Sequence, residues 1–144
     1  MRILIVEDDL DASRLLSKYL EPIGECEVVP NGQEAINVFR KSFREGYPFD
    51  LICLDIMMPK MNGHETLKKI RHIEKEEKVQ IGAGAKIIMV SSLSDGDTIL
   101  KSFLELCDGY VVKPVEKKSI YDKLREIDLI CDSEEEEISK AGGD

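Results

Sequence analysis

Apolar residues in this chain gather into short unbroken runs separated by helically spaced sets. Ile3-Leu4-Ile5-Val6, Leu51-Ile52-Cys53-Leu54 and Ile87-Ile88-Met89-Val90 are continuous. Runs this short without polar alternation predict strands buried on both faces, as in a parallel sheet. Cys26 to Val29 and Gly109 to Val112 predict two further strands. Between the runs the period changes to that of a helix. Ala12, Leu15, Leu16, Tyr19 and Leu20 share one face, with Asp9 or Asp11 placed to cap the start and Pro22 to close the end. Pro30-Asn31-Gly32 turns into a second helix that carries Ala35, Ile36, Phe39 and Phe43 inward. After Asn62-Gly63 a third places Leu67, Ile70 and Ile73 inward before decaying into the charged stretch Glu74 to Lys78. A fourth over 95–106 buries Ile99, Leu100 and Phe103, and a last one carries Val115, Ile120, Leu124 and Ile127. Five strands alternating with five helices predict an α/β domain, because each return to a parallel strand needs a right-handed crossover helix.

Bulk properties narrow what such a domain does. The 144 residues suffice for one core, and no repeat or composition shift divides them, so 1–130 is expected to be a single domain. The remainder, 131–144, holds Glu134 to Glu137 in a row and is expected to be a solvated acidic tail. A net charge of -9 disfavours nucleic acid, whose phosphates need a basic face, and an anionic membrane surface. The longest N-terminal apolar run, Ile3 to Val6, is far too short for a signal peptide or a span. Cys26, Cys53, Cys107 and Cys131 form no CxxC pair and are expected to be small buried hydrophobes in a reducing cytoplasm. His64 and His72 fall on or beside the third helix and are expected to face solvent. Gln80 to Ala85 contains glycines but no Gly-Lys-Ser/Thr ending, which makes it a connector rather than a phosphate loop.

The candidate chemistry lies where strands end. The central run stops in Asp55, with Pro59 and Asn62-Gly63 marking the turn beyond it. The first run hands over to Glu7 and Asp8, the fourth to Ser91, and the fifth to Lys113. In an open α/β sheet, ligands bind in the crevice beyond the carboxyl ends of the strands, so all five residues are delivered to one edge. Taken singly, Asp55 reads equally as a loop cap, Ser91 as a loop hydroxyl and Lys113 as a surface lysine. Taken together they read as a site. Several carboxylates within roughly 4 Å repel by about 4 kcal/mol per pair at an effective dielectric near 20, which calls for a cation. Hard oxygen ligands suit Mg²⁺, with Mn²⁺ a possible substitute. A carboxylate beside such an ion, a hydroxyl and an ammonium is a phosphoryl-transfer constellation in which the carboxylate is the nucleophile.

With these residues assembled, the chain resembles a receiver domain of the response regulators of two-component signalling, of the single-domain, chemotaxis-regulator-like kind. The segments that carry the resemblance are Ile3 to Asp9, Asp50 to Gly63, Ile87 to Ser92 and Gly109 to Pro114, together spanning Met1 to about Leu129. The resemblance implies a flavodoxin-like, doubly wound sheet in the order 2-1-3-4-5. It implies Asp55 as the phosphorylated aspartate, Asp8 as a direct Mg²⁺ ligand, and Glu7 as a companion acid acting through water. Met57 matches the position whose backbone carbonyl completes the ligands. Ser91 matches the switch hydroxyl, Lys113 the lysine that pairs with the phosphoryl group, and Tyr110 the switch aromatic. The Lys113-Pro114 bond is expected to be cis. Met57 departs from the family in placing an apolar side chain where hydrolytic water approaches.

The expected function is that of a stand-alone response regulator. A histidine kinase or histidine phosphotransfer protein donates a phosphoryl group to Asp55, and the face formed by the fourth helix, fifth strand and fifth helix is altered for a downstream target. The chain is expected to be a monomer or weak dimer, and a phosphoacceptor rather than an enzyme. Two rivals stand beside this reading. An aspartyl-phosphate phosphatase would need a second acid two residues after the nucleophile, where this chain has Met57. A receiver-like module that is never phosphorylated would serve only as an interaction platform.

Overall fold

The computed structural model describes residues 1–56, 61–80, 82–92 and 106–131. The chain forms β1 (Arg2–Val6), α1 (Leu10–Leu20), a 3-10 turn (Glu21–Ile23), β2 (Glu25–Val29) and α2 (Gly32–Arg44). It continues through β3 (Leu51–Asp55), α3 (Gly63–Glu76), β4 (Lys86–Ser91), β5 (Gly109–Val112) and α4 (Lys117–Glu126). The helix expected over 95–106, Met57 and the acidic tail from 132 onward lie outside the described residues. The fourth described helix is therefore the last one expected from sequence.

All five strands are parallel, in the order β2-β1-β3-β4-β5 expected for the doubly wound fold. Successive side chains along each strand point to opposite faces. Leu4, Val6, Ile52, Leu54, Ile87 and Met89 pack with α2 and α3 on one side. Ile3, Ile5, Leu51, Cys53, Ile88 and Val90 pack with α1 and α4 on the other. Both sides of β1, β3 and β4 are covered, which is why their runs are apolar without alternation.

Side-chain oxygens close the starts of α1, α2 and α3. Asp9 accepts from Asp11 N, Asn31 from Glu34 N and Asn62 from Glu65 N, each satisfying an amide that has no partner within its helix. Leu15 does not face the core as its spacing suggested. It is 39% exposed, because the buried stripe of α1 runs through Ser13, Leu16 and Leu20. Phe43 is half-buried and meets Phe39 edge-on with ring centroids 5.2 Å apart. Of the cysteines only Cys53 is buried, where burial pushes its thiol up to about 12. Cys26 sits on β2, the edge strand of the sheet among the described residues, and Cys131 is exposed after α4. Among the described residues no helix is long and apolar enough to cross a membrane.

The charged stretch after α3 is not simply solvated. The helix continues to Glu76, and Glu74 is buried, accepting from Ala85 N at 2.7 Å and pairing with Arg71 at the same distance. Arg71 also donates to the carbonyls of Leu106 and Ala85 and to Asp108, which in turn accepts from Ile87 N. One guanidinium thus ties α3 to the amino ends of β4 and β5. Arg71→Ala leaves Glu74 buried without its cation and frees two carbonyls. It is expected to cost about 2 to 4 kcal/mol, read as a lower urea midpoint with an unchanged slope.

Candidate functional site

Strand register brings the site together. Val6 lies opposite Leu54, so Glu7, one step on, comes beside Asp55. Asp55 lies opposite Val90 and Ser91 opposite Val112, which places Ser91 and Lys113 one step beyond on their own strands. Continuing the pleat alternation, Glu7, Asp55 and Lys113 share the side that packs on α1 and α4, while Ser91 falls on the other side together with Tyr110.

Contacts agree with that parity. Lys113 Nζ lies 3.1 Å from Glu7 Oε2 and 3.4 Å from Asp55 Oδ2. Glu7, Asp8 and Asp55 each place a carboxylate oxygen so that all three lie within 4.8 Å of one another. Glu7 and Asp55 are buried and Asp8 is exposed. Glu7 Oε1 is held by the backbone N–H of Asp9 at 3.1 Å. Beside these residues a groove of about 420 Å³ opens, lined by Glu7, Asp9, Leu16, Lys113 and Pro114. The Lys113-Pro114 peptide is cis, as expected.

Three acids against one ammonium leave the cluster net negative. Burial pulls the Lys113 ammonium toward deprotonation, but the Glu7 carboxylate beside it and the charges of Asp55 and Glu7 outweigh burial and hold its pKa above the usual 10.5. Glu7 Oε2 meets the ammonium at 3.1 Å as an ion pair and has no further hydrogen-bond partner among the described residues. Ser91 Oγ is likewise buried with no hydrogen-bond partner among the described residues. A buried acceptor or hydroxyl left without a partner costs about 1 to 3 kcal/mol. The Ser91 hydroxyl, beside a Glu7 oxygen held by the Lys113 ammonium, marks a place shaped for a further polar group.

The chain matches the response regulator receiver domain family over residues 3–125. It belongs to that family. The chemotaxis protein CheY of Halobacterium salinarum is 30% identical over 127 residues, covering 88% of this chain and 95% of that protein. CheY of Treponema pallidum is 27% identical over 88% of this chain and 81% of its own length. The probable transcriptional regulator ycf27 of Pyropia yezoensis is 35% identical, but this receiver spans 46% of it. Among solved structures, the receiver domain of the histidine kinase CKI1 from Arabidopsis thaliana, complexed with Mg²⁺ and BeF3⁻, superposes with a TM-score of 0.74 at 26% identity, covering 90% of both chains. Vibrio cholerae CheY4, at 23% identity and a TM-score of 0.69, shares the fold. The protein is a phosphoacceptor receiver of two-component signalling.

Within this receiver the structure brings Glu7, Asp8, Asp55 and Lys113 into one cluster and puts Ser91 on the adjoining strand. Tyr110 is separate from them: the residue is 39% exposed, with the Lys123 ammonium 5.8 Å from its ring centroid. His72 is exposed and paired with Glu76, well away from the acids, and His64 is half-buried at the first turn of α3. From sequence, Asp9 carries only a capping role. Its backbone N–H also steers Glu7, an effect that short-range hydrogen bonding by acids just before a helix could have suggested.

Proposed function

We propose that Asp55 is the phosphoacceptor, that Glu7 and Asp8 together with Asp55 hold Mg²⁺ or Mn²⁺, and that Lys113 and Ser91 receive the phosphoryl oxygens. The observation that carries this reading is the pairing of one ammonium with two buried carboxylates beside a buried Ser91 hydroxyl that has no hydrogen-bond partner among the described residues. The donors are all hard oxygens, which suits a hard divalent cation. When bound, such an ion offsets charge on the phosphoryl oxygens.

The chain's own residues do the rest. An oxygen of the Asp55 carboxylate attacks phosphorus, the P–N bond of a donor phosphohistidine breaks, and the imidazole leaves with the bonding pair. Lys113, already 3.4 Å from Asp55, neutralises the acyl phosphate through a charge-assisted contact. The added group carries about -1.5 to -2 charge at neutral pH. Ser91 is drawn toward it, and because Ser91 and Tyr110 share one side of adjacent strands, its movement makes room for the Tyr110 ring to turn inward. Shifting such an equilibrium from 1:99 to 99:1 takes about 5.5 kcal/mol, within reach of the ammonium, the hydroxyl and the cation acting together.

The donor is a histidine kinase or a histidine phosphotransfer protein, and the output is a protein contact on the face that includes β5 and α4. Residues 1–130 form the receiver and 131–144 an acidic extension; the domain is a cytoplasmic monomer or weak dimer that binds neither nucleic acid nor membrane. The test is a Mg²⁺ titration followed by beryllofluoride, read by NMR, and by acetyl phosphate with mass mapping of the acyl phosphate. Saturable Mg²⁺ binding and modification at Asp55 are expected. No Mg²⁺ binding would replace this reading with an unphosphorylated interaction module, and turnover of a generic phosphomonoester would replace it with a phosphatase.

A further inference from the structure

Gly63 opens α3 against the end of the acceptor strand. Its N–H donates to Ile56 O at 2.9 Å, fastening the first turn of α3 to the residue after Asp55. A Cβ on Gly63 would lie 2.7 Å from Asp55 O, 2.8 Å from Ile56 Cα and 3.2 Å from Ile56 O. These are backbone atoms of the acceptor's own peptide and its neighbour, so no side-chain rotation relieves the contact. The same turn is pressed from its other side. A Cβ on Gly32, the first residue of α2, would lie 2.1 Å from Thr66 Oγ1 and 2.9 Å from Met61 O. Thr66 is fully buried and its hydroxyl donates to Asn62 O at 2.9 Å, so this side is closed as well.

We propose that Gly63, backed by Gly32, is a positioning residue that sets where the Asp55 carboxylate stands, by letting α3 seat directly on the peptide of the acceptor. The inference rests on Asp55 as the acceptor and adds what holds it in register. A methyl group at 63 must displace either α3 or the end of β3. The far part of α3 is tied down through Arg71 and Glu74, and the end of β3 is held by the donation of Ile56 N to Val90 O at 3.1 Å. With both partners anchored, the strain is shared and the tip of β3 moves. A sub-ångström shift matters there because three carboxylates must present oxygens to one ion. Altering groups behind the ligands of a metal typically costs tenfold to a hundredfold in affinity.

The experiment compares Gly63→Ala and Gly32→Ala with Gly24→Ala. Gly24 is an equally crowded glycine, its Cβ position 2.4 Å from Met1 O, at the opposite end of the sheet. The Asp55 amide and side-chain carboxyl resonances are recorded without metal, Mg²⁺ is then titrated, and thermal melts give stability. Gly63→Ala and Gly32→Ala are expected to shift the Asp55 resonances and to weaken Mg²⁺ binding about tenfold to a hundredfold. Gly24→Ala is expected to lower Tm while leaving both unchanged. Unshifted Asp55 resonances with wild-type Mg²⁺ affinity in folded Gly63→Ala would overturn the proposal, as would an equal loss of affinity in Gly24→Ala. Should Gly63→Ala not fold, Gly32→Ala decides in the same way. If the wild-type protein itself binds no Mg²⁺, the acceptor assignment falls, and the Asp55 resonances of the variants alone support or overturn the positioning role.

Discussion

Asp55→Asn is expected to abolish acyl phosphate formation from a small phosphodonor, by at least about a thousandfold, with no compensating modification elsewhere at the site. The side chains are nearly isosteric, so the pocket survives; what is lost is the anionic oxygen that the proposed acceptor role requires. The same change is expected to raise Tm by a few degrees in the absence of Mg²⁺. Asp55 is attracted by Lys113 at 3.4 Å but repelled by Glu7 and Asp8, whose oxygens lie within 4.8 Å. At an effective dielectric near 20 the attraction is about 5 kcal/mol and each repulsion at least about 3.5 kcal/mol, with the Asp8 share reduced by its exposure. Among these three charged neighbours repulsion outweighs attraction by an amount on the order of 1 kcal/mol. Mg²⁺, held as proposed, is expected to reverse the order, because it would stabilise the wild-type cluster more than the neutralised one. Melts of both proteins with and without Mg²⁺, together with phosphate mapping, check both halves. Persistent labelling of an aspartate in the variant would remove Asp55 from its role.

Lys113→Met keeps the stem and removes the ammonium. Glu7 and Asp55 are then buried side by side with Lys113's charge gone. Breaking a buried pair costs about 3 to 5 kcal/mol, and because this lysine side chain is 30% exposed the loss is expected nearer 2 kcal/mol. In the wild-type protein the pH dependence of this contribution follows from the lysine itself. Its pKa is raised in the folded state, so the stabilisation is fully present below the ordinary 10.5 and disappears only as pH rises through the raised value; it is flat across the neutral range. The larger consequence is for switching. A hydrogen bond to a charged group is worth about 1.5 to 3 kcal/mol, so the beryllofluoride-driven shift of Tyr110 should weaken about tenfold to a hundredfold. Labelling Tyr110 with fluorine and following its resonance measures that shift. An undiminished shift in the variant would mean that Lys113 does not carry the signal.

The strand ends were legible because a parallel sheet writes itself as unbroken apolar runs. Ile3 to Val6, Leu51 to Leu54 and Ile87 to Val90 are covered on both sides, and each hands its next polar residue to the same edge. Asp55, Glu7, Asp8, Ser91 and Lys113 could therefore be placed together before any coordinates. Other features left no periodic trace. Leu15 has helical spacing but sits outside the buried stripe, because the stripe of α1 turns toward Ser13 and Leu16. Glu74 reads as one more residue of a charged stretch; Arg71 is its helical neighbour three positions back, and only the fold brings Ala85 N to the Glu74 carboxylate and Asp108 to that arginine. Tyr121, polar at its tip, is almost wholly buried because its hydroxyl reaches the Tyr19 carbonyl on α1, 102 positions away in sequence.

By itself, then, the order of residues determined the α/β class, the alternation of strands and helices, and the identity of the polar groups at the strand ends. These are properties of local period and of the polar residue at which each apolar run stops. The tertiary structure decided how those groups meet. Register set Glu7, Asp55 and Lys113 on one side of the pleat and Ser91 with Tyr110 on the other, and left Ser91 Oγ without a hydrogen bond among the described residues. It also seated Gly63 on the peptide of Asp55. Distances of a few ångströms between segments tens of residues apart are fixed by how strands align and helices pack, and no local pattern encodes them.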